Sequence, residues 1–271
     1  MHVDELLNLP AVNQTAQTTW IHSDVVVPED WAQGRTSFGG ISAALVYQAI
    51  SQHLEDDRVL RSFTTNFVGP LNVGVPFSIE VELLRTGKNV SQFIGKAVQD
   101  GKVAVFCQAC FGVPRESSIR VENSDTHNME VPKKGKFIPQ IPKVTPKFLR
   151  HFDLSIAKGG LPFTRQKEAL IHGWMRFKEA PASITDAHII TLIDAWPPTL
   201  LPMLKWPAPA STVSWNLEFI HPHRPIKGED WFAYQADTRQ AADGYGHTEA
   251  TIWDMHGEVI AISRQTVAVF D

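Results

Sequence analysis

The sequence predicts an α+β protein made of two similar units, in each of which a helix precedes an antiparallel meander of strands. In the first half, the apolar residues of 41–53 recur at helical spacing. Residues 77–84 instead alternate apolar and polar side chains, as a half-buried strand does. Asp100-Gly101 is a hairpin signal between two further strand-like segments, 90–98 and 103–112. One helix followed by hairpin-linked strands is an α+β plan and not a βαβ plan.

An internal repeat is the observation that predicts two units. Phe67-Val68-Gly69-Pro70 corresponds to Phe219-Ile220-His221-Pro222, at an offset of 152 positions (219 − 67). Asp100-Gly101 corresponds to His256-Gly257, at an offset of 156 (257 − 101). The nearly constant offset and the matched order favour a tandem repeat over two unrelated meanders.

The remaining elements follow in chain order. Residues 25–27 predict a short first strand, and 63–68 predict a strand that ends at Gly69-Pro70. In the second half, residues 170–177 predict the first strand of the unit, and residues 183–196 predict a helix. Two later strands are predicted, one that starts at Trp231 and one over residues 259–267. We therefore assign residues 1–115 to the first unit, 116–163 to a linker and 164–271 to the second unit.

The predicted linker differs in composition from both units. It contains Lys133-Lys134-Gly135-Lys136 and prolines at 132, 139, 142 and 146, which predicts a long, mostly irregular connection. The basic run can be a solvated group of charges or a contact for phosphates, and the solvated group is the default.

Composition excludes several classes of function. The chain has 271 residues, of which 43% are hydrophobic and 20% charged, which is ordinary for a globular protein with a large core. The formal net charge of −4 argues against general nucleic-acid binding. No apolar run approaches the ~20 residues that span a bilayer, and residues 1–10 lack the features of a signal peptide. We expect a cytosolic protein that does not associate with membranes.

Cys107 and Cys110 are the two cysteines of the chain. They lie in a segment with the composition of a strand, where a separation of three residues points side chains to opposite faces. The sequence therefore predicts packing residues here, and neither a disulfide nor a paired metal site.

The segment 183–196 carries the most unusual acidic residue. Its residues leave almost no polar face, which is typical of a buried helix. Ser183 or Thr185 can cap its start, and Pro197-Pro198 end it. Asp194 lies in its last turn, where the helix dipole disfavours a negative charge. A buried acid paired with a neighbouring strand and a catalytic carboxylate are the two interpretations, and we favour the second.

The segment Gln33-Gly34-Arg35-Thr36-Ser37-Phe38-Gly39-Gly40, just before the first predicted helix, resembles the opening motif of thioesterase-like double-hotdog proteins. The whole chain resembles the type II acyl-CoA thioesterases, the TesB-like group, with the linker poorly matched. This resemblance implies a tandem (double) hotdog, in which two antiparallel sheets each wrap around a central helix. It also implies an acyl-CoA substrate and a homo-oligomer, dimer or higher.

The resemblance also implies site residues in the second half. The catalytic Asp of the group lies on the second hotdog helix, where this chain has Asp194. A Thr at the start of the next strand and a Gln in the last strand correspond to Thr212 and Gln265. After the Thr, the group often has an acidic residue and a His, whereas this chain has Ser214 and Trp215.

These residue types suit thioester hydrolysis by direct attack of water. A carboxylate can hold or deprotonate the water, while a hydroxyl and an amide can fix its direction. The oxyanion needs N–H donors, and we expect Phe38, Gly39 and Gly40 at the helix start to supply them. No cofactor is expected.

Three other interpretations compete with thioester hydrolysis. A hotdog hydratase usually pairs its Asp with a His about five positions further on, and Thr199 stands there instead. A non-catalytic acyl- or CoA-binding protein stays open. His221 and His223 flank Pro222, but a third ligand at a fixed spacing is absent, so no metal site is predicted. The chain has no G-x-S-x-G, G-x-G-x-x-G or P-loop motif.

Overall fold

The computed structural model describes residues 1–54, 57–135 and 145–270. The described chain divides into two compact units. The first contains Met1–Glu122, Pro146–Phe148 and Ile184–Thr191, and the second contains Asn123–Thr145, Leu149–Ser183 and Leu192–Asp271. Lys136, Pro139 and Pro142 of the predicted linker lie outside the described residues.

The first unit is a six-stranded antiparallel sheet with helices. Its elements are α1 (Val3–Leu7), β1 (Val12–Ala16), β2 (Thr19–Val25), the two-residue strands β3 (Ala32–Gln33) and β4 (Thr36–Ser37), α2 (Gly39–Ser51), β5 (Val59–Phe67), β6 (Phe77–Thr86), β7 (Val90–Gln99) and β8 (Lys102–Gly112). The strand order in the sheet is β5-β8-β7-β6-β2-β1. Each neighbouring pair is antiparallel.

The hairpin between β7 and β8 forms where the sequence predicts it. Asp100 and Gly101 have φ angles of 52° and 70°. Two consecutive positive φ angles match the twist of a two-residue hairpin, and Asp and Gly tolerate them best.

Helix α2 packs against the middle strands β6, β7 and β8. Its residues from Gly40 to Tyr47 are all buried, as are Ala49 and Ile50. Gly95 of β7 makes this close approach possible, because a Cβ atom there would lie 2.5 Å from Cγ1 of Val46 and 3.0 Å from Cδ1 of Ile50. The interface between the sheet and α2 therefore has no room for a side chain at Gly95.

The second unit repeats the plan of the first. Its strands are β9 (Phe152–Gly159), β10 (Leu170–Phe177), β11 (Ala210–Phe219), β12 (Phe232–Ala242), β13 (Tyr245–Trp253) and β14 (Val259–Val269). They form an antiparallel sheet in the order β11-β14-β13-β12-β10-β9. The four strands β5, β8, β7 and β6 of the first unit and their repeat counterparts β11, β14, β13 and β12 follow the same order in the two sheets. This order confirms the predicted tandem α+β architecture.

Helix α3 (Asp186–Ile193) is shorter than predicted. The expected helix over 183–196 therefore starts three residues too early and ends three residues too late. Asp194 lies in the turn that follows α3 and not in its last turn, with the N–H of Ala195 donating to the carbonyl of Leu192 at 3.0 Å. Helix ends vary by one or two residues with local hydrogen bonding, and Pro197-Pro198 already prevent continuation.

The predicted linker is more structured than its composition indicates. Strand β9 lies within residues 116–163, so the expectation of a mostly irregular connection is wrong there. The irregular segment around His127 also packs onto the second unit: the His127 ring contacts the rings of Trp174 and Trp253 edge-on, at centroid distances of 5.1 and 5.2 Å. Nε1 of Trp253 donates to the carbonyl of Asp125 at 3.2 Å. The first strand of the second unit is therefore β9, and the predicted strand over 170–177 is the second.

The two cysteines lie on opposite faces of β8, as their separation predicts. Cys107 is fully buried and Cys110 is partly exposed, and both are free thiols. Burial raises the pKa of the Cys107 thiol to about 12, so it stays protonated and inert at neutral pH.

Among the described residues, no helix has both the length and the apolar character needed to cross a bilayer.

A buried histidine ties two helices together in the first unit. Nε2 of His188 lies 2.9 Å from Oδ1 of Asp4 in α1, and its Nδ1 lies 2.8 Å from the hydroxyl of Thr185. The backbone N–H of Thr185 also donates to Nδ1, at 3.2 Å, so the ring proton belongs on Nε2 and is donated to Asp4. Burial lowers the pKa of His188, and the neighbouring Asp4 opposes this effect only in part.

Substituting Gly95→Ala should destabilise the protein by about 1–3 kcal/mol, because the added methyl group overlaps Val46 and Ile50 in a full core. Urea unfolding measures the change. Gly69→Ala is the matched control, since the nearest atom to a Cβ there is the carbonyl oxygen of Val103, at an ordinary 3.6 Å. Equal stability of the two variants would contradict the packing argument.

Acidification from pH 7 to pH 5 should destabilise the wild type more than a His188→Gln variant. The lowered pKa of His188 means that the unfolded chain binds the proton more readily. Its contribution is therefore complete above the ordinary pKa of about 6.5 and is lost as the pH falls toward the folded value. Free energies of unfolding at several pH values measure the two slopes. Parallel slopes would show that His188 is not a source of the acid sensitivity.

Candidate active site

Asp194 is held by a glutamine of the last strand. Its side chain is half-buried, and Nε2 of Gln265 donates to its Oδ1 at 3.1 Å. Both residues belong to the second unit. The structure therefore brings together two of the three residues that the family resemblance implies.

Strand pairing points Gln265 into the second unit. In β14, Ala261, Ser263 and Val267 are buried, and Gln265 shares their face because alternate residues of a strand point to the same side. Its neighbours across the ladder are Trp215 of β11 and Thr248 of β13, which are 1% and 9% exposed. The amide of Gln265 thus reaches Asp194 from the interior face of the sheet.

The register also places Thr212 on this interior face. Thr212 pairs with Val267, and Val267 lies two residues beyond Gln265 in β14. A bulge between Thr212 and Ser214 keeps Thr212 and Trp215 on the same side despite their odd separation. Diagonal neighbours in an antiparallel pair lie within reach of each other's side chains. Thr212 therefore lies on the same face of the sheet as Gln265, which itself donates a hydrogen bond to Asp194.

Phe38, Gly39 and Gly40 lie at the start of α2 in the first unit. The N–H of Phe38 donates to the carbonyl of Trp31 at 3.0 Å, so the expectation that Phe38 supplies an oxyanion donor is wrong. Gly39 and Gly40 are the first two helical residues, whose N–H groups have no acceptor within the helix. A Cβ at Gly40 would lie 2.6 Å from the Phe38 ring and 2.9 Å from the carbonyl oxygen of Thr191, so packing alone already requires glycine there.

Two aromatic residues next to Asp194 were not predicted as part of the site. The ring of Trp196 stacks on Tyr234 of β12 at a centroid distance of 5.6 Å. Burial raises the pKa of Tyr234 most, and the negative charges of Asp194 and Asp237 raise it further. The phenol therefore stays protonated at neutral pH. The sequence holds no signal for this neighbourhood, because Tyr234 reaches Asp194 only through the pairing of distant strands.

Two family models match the chain, one in each unit. The model described as the acyl-CoA thioesterase N-terminal domain matches residues 27–112, and the model described as the acyl-CoA thioesterase C-terminal domain matches residues 125–269.

The chain is also similar to known proteins along most of its length. Acyl-CoA thioesterase 2 of Haemophilus influenzae is 26% identical over 255 residues, covering 85% of this chain and 86% of the relative. A hot dog fold protein of unknown function from Alicyclobacillus acidocaldarius superposes with a TM-score of 0.81 at 23% identity, covering 99% of this chain and 98% of its own. The acyl-CoA thioesterase II TesB2 of Mycobacterium marinum superposes with a TM-score of 0.71 at 17% identity, covering 100% and 97%.

The repeated sheet order and these superpositions define the class of the protein: it is a double-hotdog α+β protein. The two family matches are more specific, since the C-terminal model alone covers more than half of the 271 residues. The chain belongs to the acyl-CoA thioesterase family and is a hydrolase of thioester bonds.

Proposed function

We propose that this enzyme hydrolyses an acyl-CoA thioester to the free acid and CoA, by direct attack of a water molecule held by Asp194, Thr212 and Gln265. The observation that carries the proposal is the 3.1 Å hydrogen bond from the Gln265 amide to the half-buried Asp194 carboxylate. The acyl-CoA substrate is taken from the printed names of the family models and of the Haemophilus influenzae relative.

In this mechanism Asp194 is the general base. A carboxylate has about four lone-pair positions, so Asp194 can accept a hydrogen bond from water while Gln265 donates to its Oδ1. The carboxylate takes a proton from the water as the new C–O bond forms at the thioester carbon. The C–S bond then breaks, and the departing CoA sulfur takes up the proton. Gln265 fixes the carboxylate, and the Thr212 hydroxyl orients the water from the same face of the sheet.

For the oxyanion of the tetrahedral intermediate, we retain the N–H groups of Gly39 and Gly40 as the proposed donors. N–H groups at a helix start carry partial positive charge and favour an anion. Phe38 is left out because its N–H donates to Trp31.

A thiol-release assay over a panel of acyl-CoA thioesters tests this function. Release of free CoA supports the hydrolase, hydration of an enoyl-CoA would support a hydratase, and tight binding without turnover would support an acyl- or CoA-binding protein. Assembly into dimers or larger homo-oligomers stays a prediction that light scattering can check. The cytosolic location also stays a prediction.

Replacing Asp194 with Asn should lower kcat by about 10²- to 10⁴-fold, because the amide cannot take the proton from water. The near-isosteric change should leave folding intact, which a thermal unfolding curve checks. Asp243→Asn, at an exposed hairpin position, is the matched control. Wild-type turnover in the Asp194→Asn variant would refute Asp194 as the base.

Replacing Gln265 with Glu should be more harmful at neutral pH than replacing it with Ala. A second carboxylate about 3 Å from Asp194 would make the two groups share one proton. The pair would then stay singly protonated at neutral pH, whereas a general base must be deprotonated. The pH–rate profile of Gln265→Glu should show its rising limb at higher pH than the profile of the wild type. Superimposable profiles would show that Gln265 does not adjoin the titrating base.

A further inference from the structure

The segment that follows Asp194 is anchored to the interior face of the second unit at three places. Trp196 stacks on Tyr234, and its ring also occupies the space above Gly173, where a Cβ would lie 2.7 Å from its Cη2 atom. Leu200 similarly fills the space above Gly246 of β13, where an added Cβ would overlap its side chain. Between these apolar contacts lies a polar one, made by Thr199.

Thr199 joins two strands through its hydroxyl group. Its Oγ1 lies 2.7 Å from Oγ1 of Thr238 in β12 and 3.0 Å from Oγ1 of Thr248 in β13. Thr199 is 2% exposed and Thr248 is 9% exposed, so these hydroxyls form a largely dry cluster. A buried hydroxyl that loses its partner destabilises the fold, so the three hydroxyl groups hold one another in a defined geometry.

The cluster adjoins the glutamine that holds Asp194. Thr248 is the direct cross-strand partner of both Thr238 and Gln265, so all three side chains lie in one row on the interior face. Thr199 follows Asp194 by five residues, and Pro197-Pro198 limit the freedom of the chain between them. One row of side chains therefore fixes Gln265 directly and Asp194 through a short, stiff segment.

The first unit shows that the fold does not require these hydroxyl groups. Its strands have bulges at the same places as those of the second unit. The bulge between Leu60 and Ser62 corresponds to the one between Thr212 and Ser214. The bulge between Leu83 and Arg85 corresponds to the one between Thr238 and Gln240. These matches align the two ladders residue by residue. The positions of Thr212, Gln265, Thr248 and Thr238 are taken in the first unit by Leu60, Ala109, Phe93 and Leu83. The same strand order is thus built with an apolar row, and the polar row is particular to the unit that holds Asp194.

We propose that Thr199 is a positioning residue: by bonding Thr238 and Thr248, it holds the segment after α3 so that Asp194 faces Gln265. This inference rests on the proposed function, since its purpose is to orient the general base. Thr199 itself touches neither the water nor the thioester. Because a base misplaced by about 1 Å can cost two orders of magnitude in rate, loss of the anchor should appear in kcat.

The test compares Thr199→Val, which keeps the shape and removes the hydroxyl group, with Thr199→Ser, which keeps the hydroxyl group. We expect Thr199→Val to lower kcat by about 10- to 100-fold and to leave KM within about threefold, because the segment orients the base and does not bind substrate. Thr199→Ser should recover most of kcat. Thr251→Val is the control, since Thr251 lies on β13 but on the face opposite Thr248.

A second measurement separates positioning from general loss of packing. Thr199→Val combined with Gln265→Ala should lower kcat by much less than the product of the single effects, because both act through the orientation of Asp194. A folded Thr199→Val variant with wild-type kcat, or equal losses for Val and Ser, would overturn the proposal. If Thr199→Val does not fold, Thr248→Val decides by the same criteria.

The proposed function fails separately from this inference. Full activity of Asp194→Asn would remove the general base and this inference with it. An inactive Asp194→Asn beside a fully active Thr199→Val would leave the hydrolase mechanism standing and refute the anchor alone.

Discussion

The hydrogen bond between Gln265 and Asp194 is the interaction on which the proposed chemistry depends. Asp194 lies just beyond the C-terminal end of α3, where the helix dipole opposes a negative charge, and the residue is partly buried. A carboxylate in such a place needs a donor to remain ionised. The amide of Gln265 supplies that donor at 3.1 Å. In the proposed mechanism, this hydrogen bond orients the carboxylate toward the attacking water molecule.

That bond in turn depends on strand register. Shifting β14 by one residue would turn Gln265 to the opposite face of the sheet and replace it by a neighbour of different chemistry. The register of β14 is set by the hairpin over residues 254–258 that joins it to β13, and by the buried residues that alternate along β14. In this hairpin the N–H of Asp254 donates to the carbonyl of Glu258 at 2.9 Å, and Gly257 has a φ angle of 85°. The bulge in β11 then returns Thr212 to the interior face. Turn chemistry and apolar alternation, far from the reacting atoms, thus decide which polar side chains meet there.

The sequence predicted the architecture better than the details of the site. The repeat, the hairpin at Asp100-Gly101 and the separation of the two cysteines come from local patterns, and the structure confirms them. Strand β9 was missed because its segment follows a proline-rich stretch and its outer half is exposed, so its alternation is weak.

Contacts between residues distant in the sequence were beyond prediction. The expected role of Phe38 failed because its N–H finds the carbonyl of Trp31, which no spacing rule reveals. Tyr234 and Thr199 were missed for the same reason. Tyr234 comes near Asp194 only after strands far apart in the chain have paired. Thr199 likewise meets its two threonine partners only in the folded sheet. Asp194 was singled out as an acid in an otherwise apolar helix, whereas Thr212 and Gln265 were proposed only through the family resemblance.

Comparison of the two units shows how one sequence can combine a well-packed apolar core with the proposed general base. In the first unit, Phe93 packs edge-on against Phe111 with ring centroids 5.9 Å apart, in a row of apolar side chains that stabilises the sheet against α2. In the second unit, the position of Phe93 is taken by Thr248, which gives up that buried apolar area in exchange for a directed hydrogen bond. Placing polar groups in a core lowers stability but fixes orientation, and a general base needs orientation. The duplicated sheet separates the two demands, because one copy keeps the apolar row while the other carries the polar one.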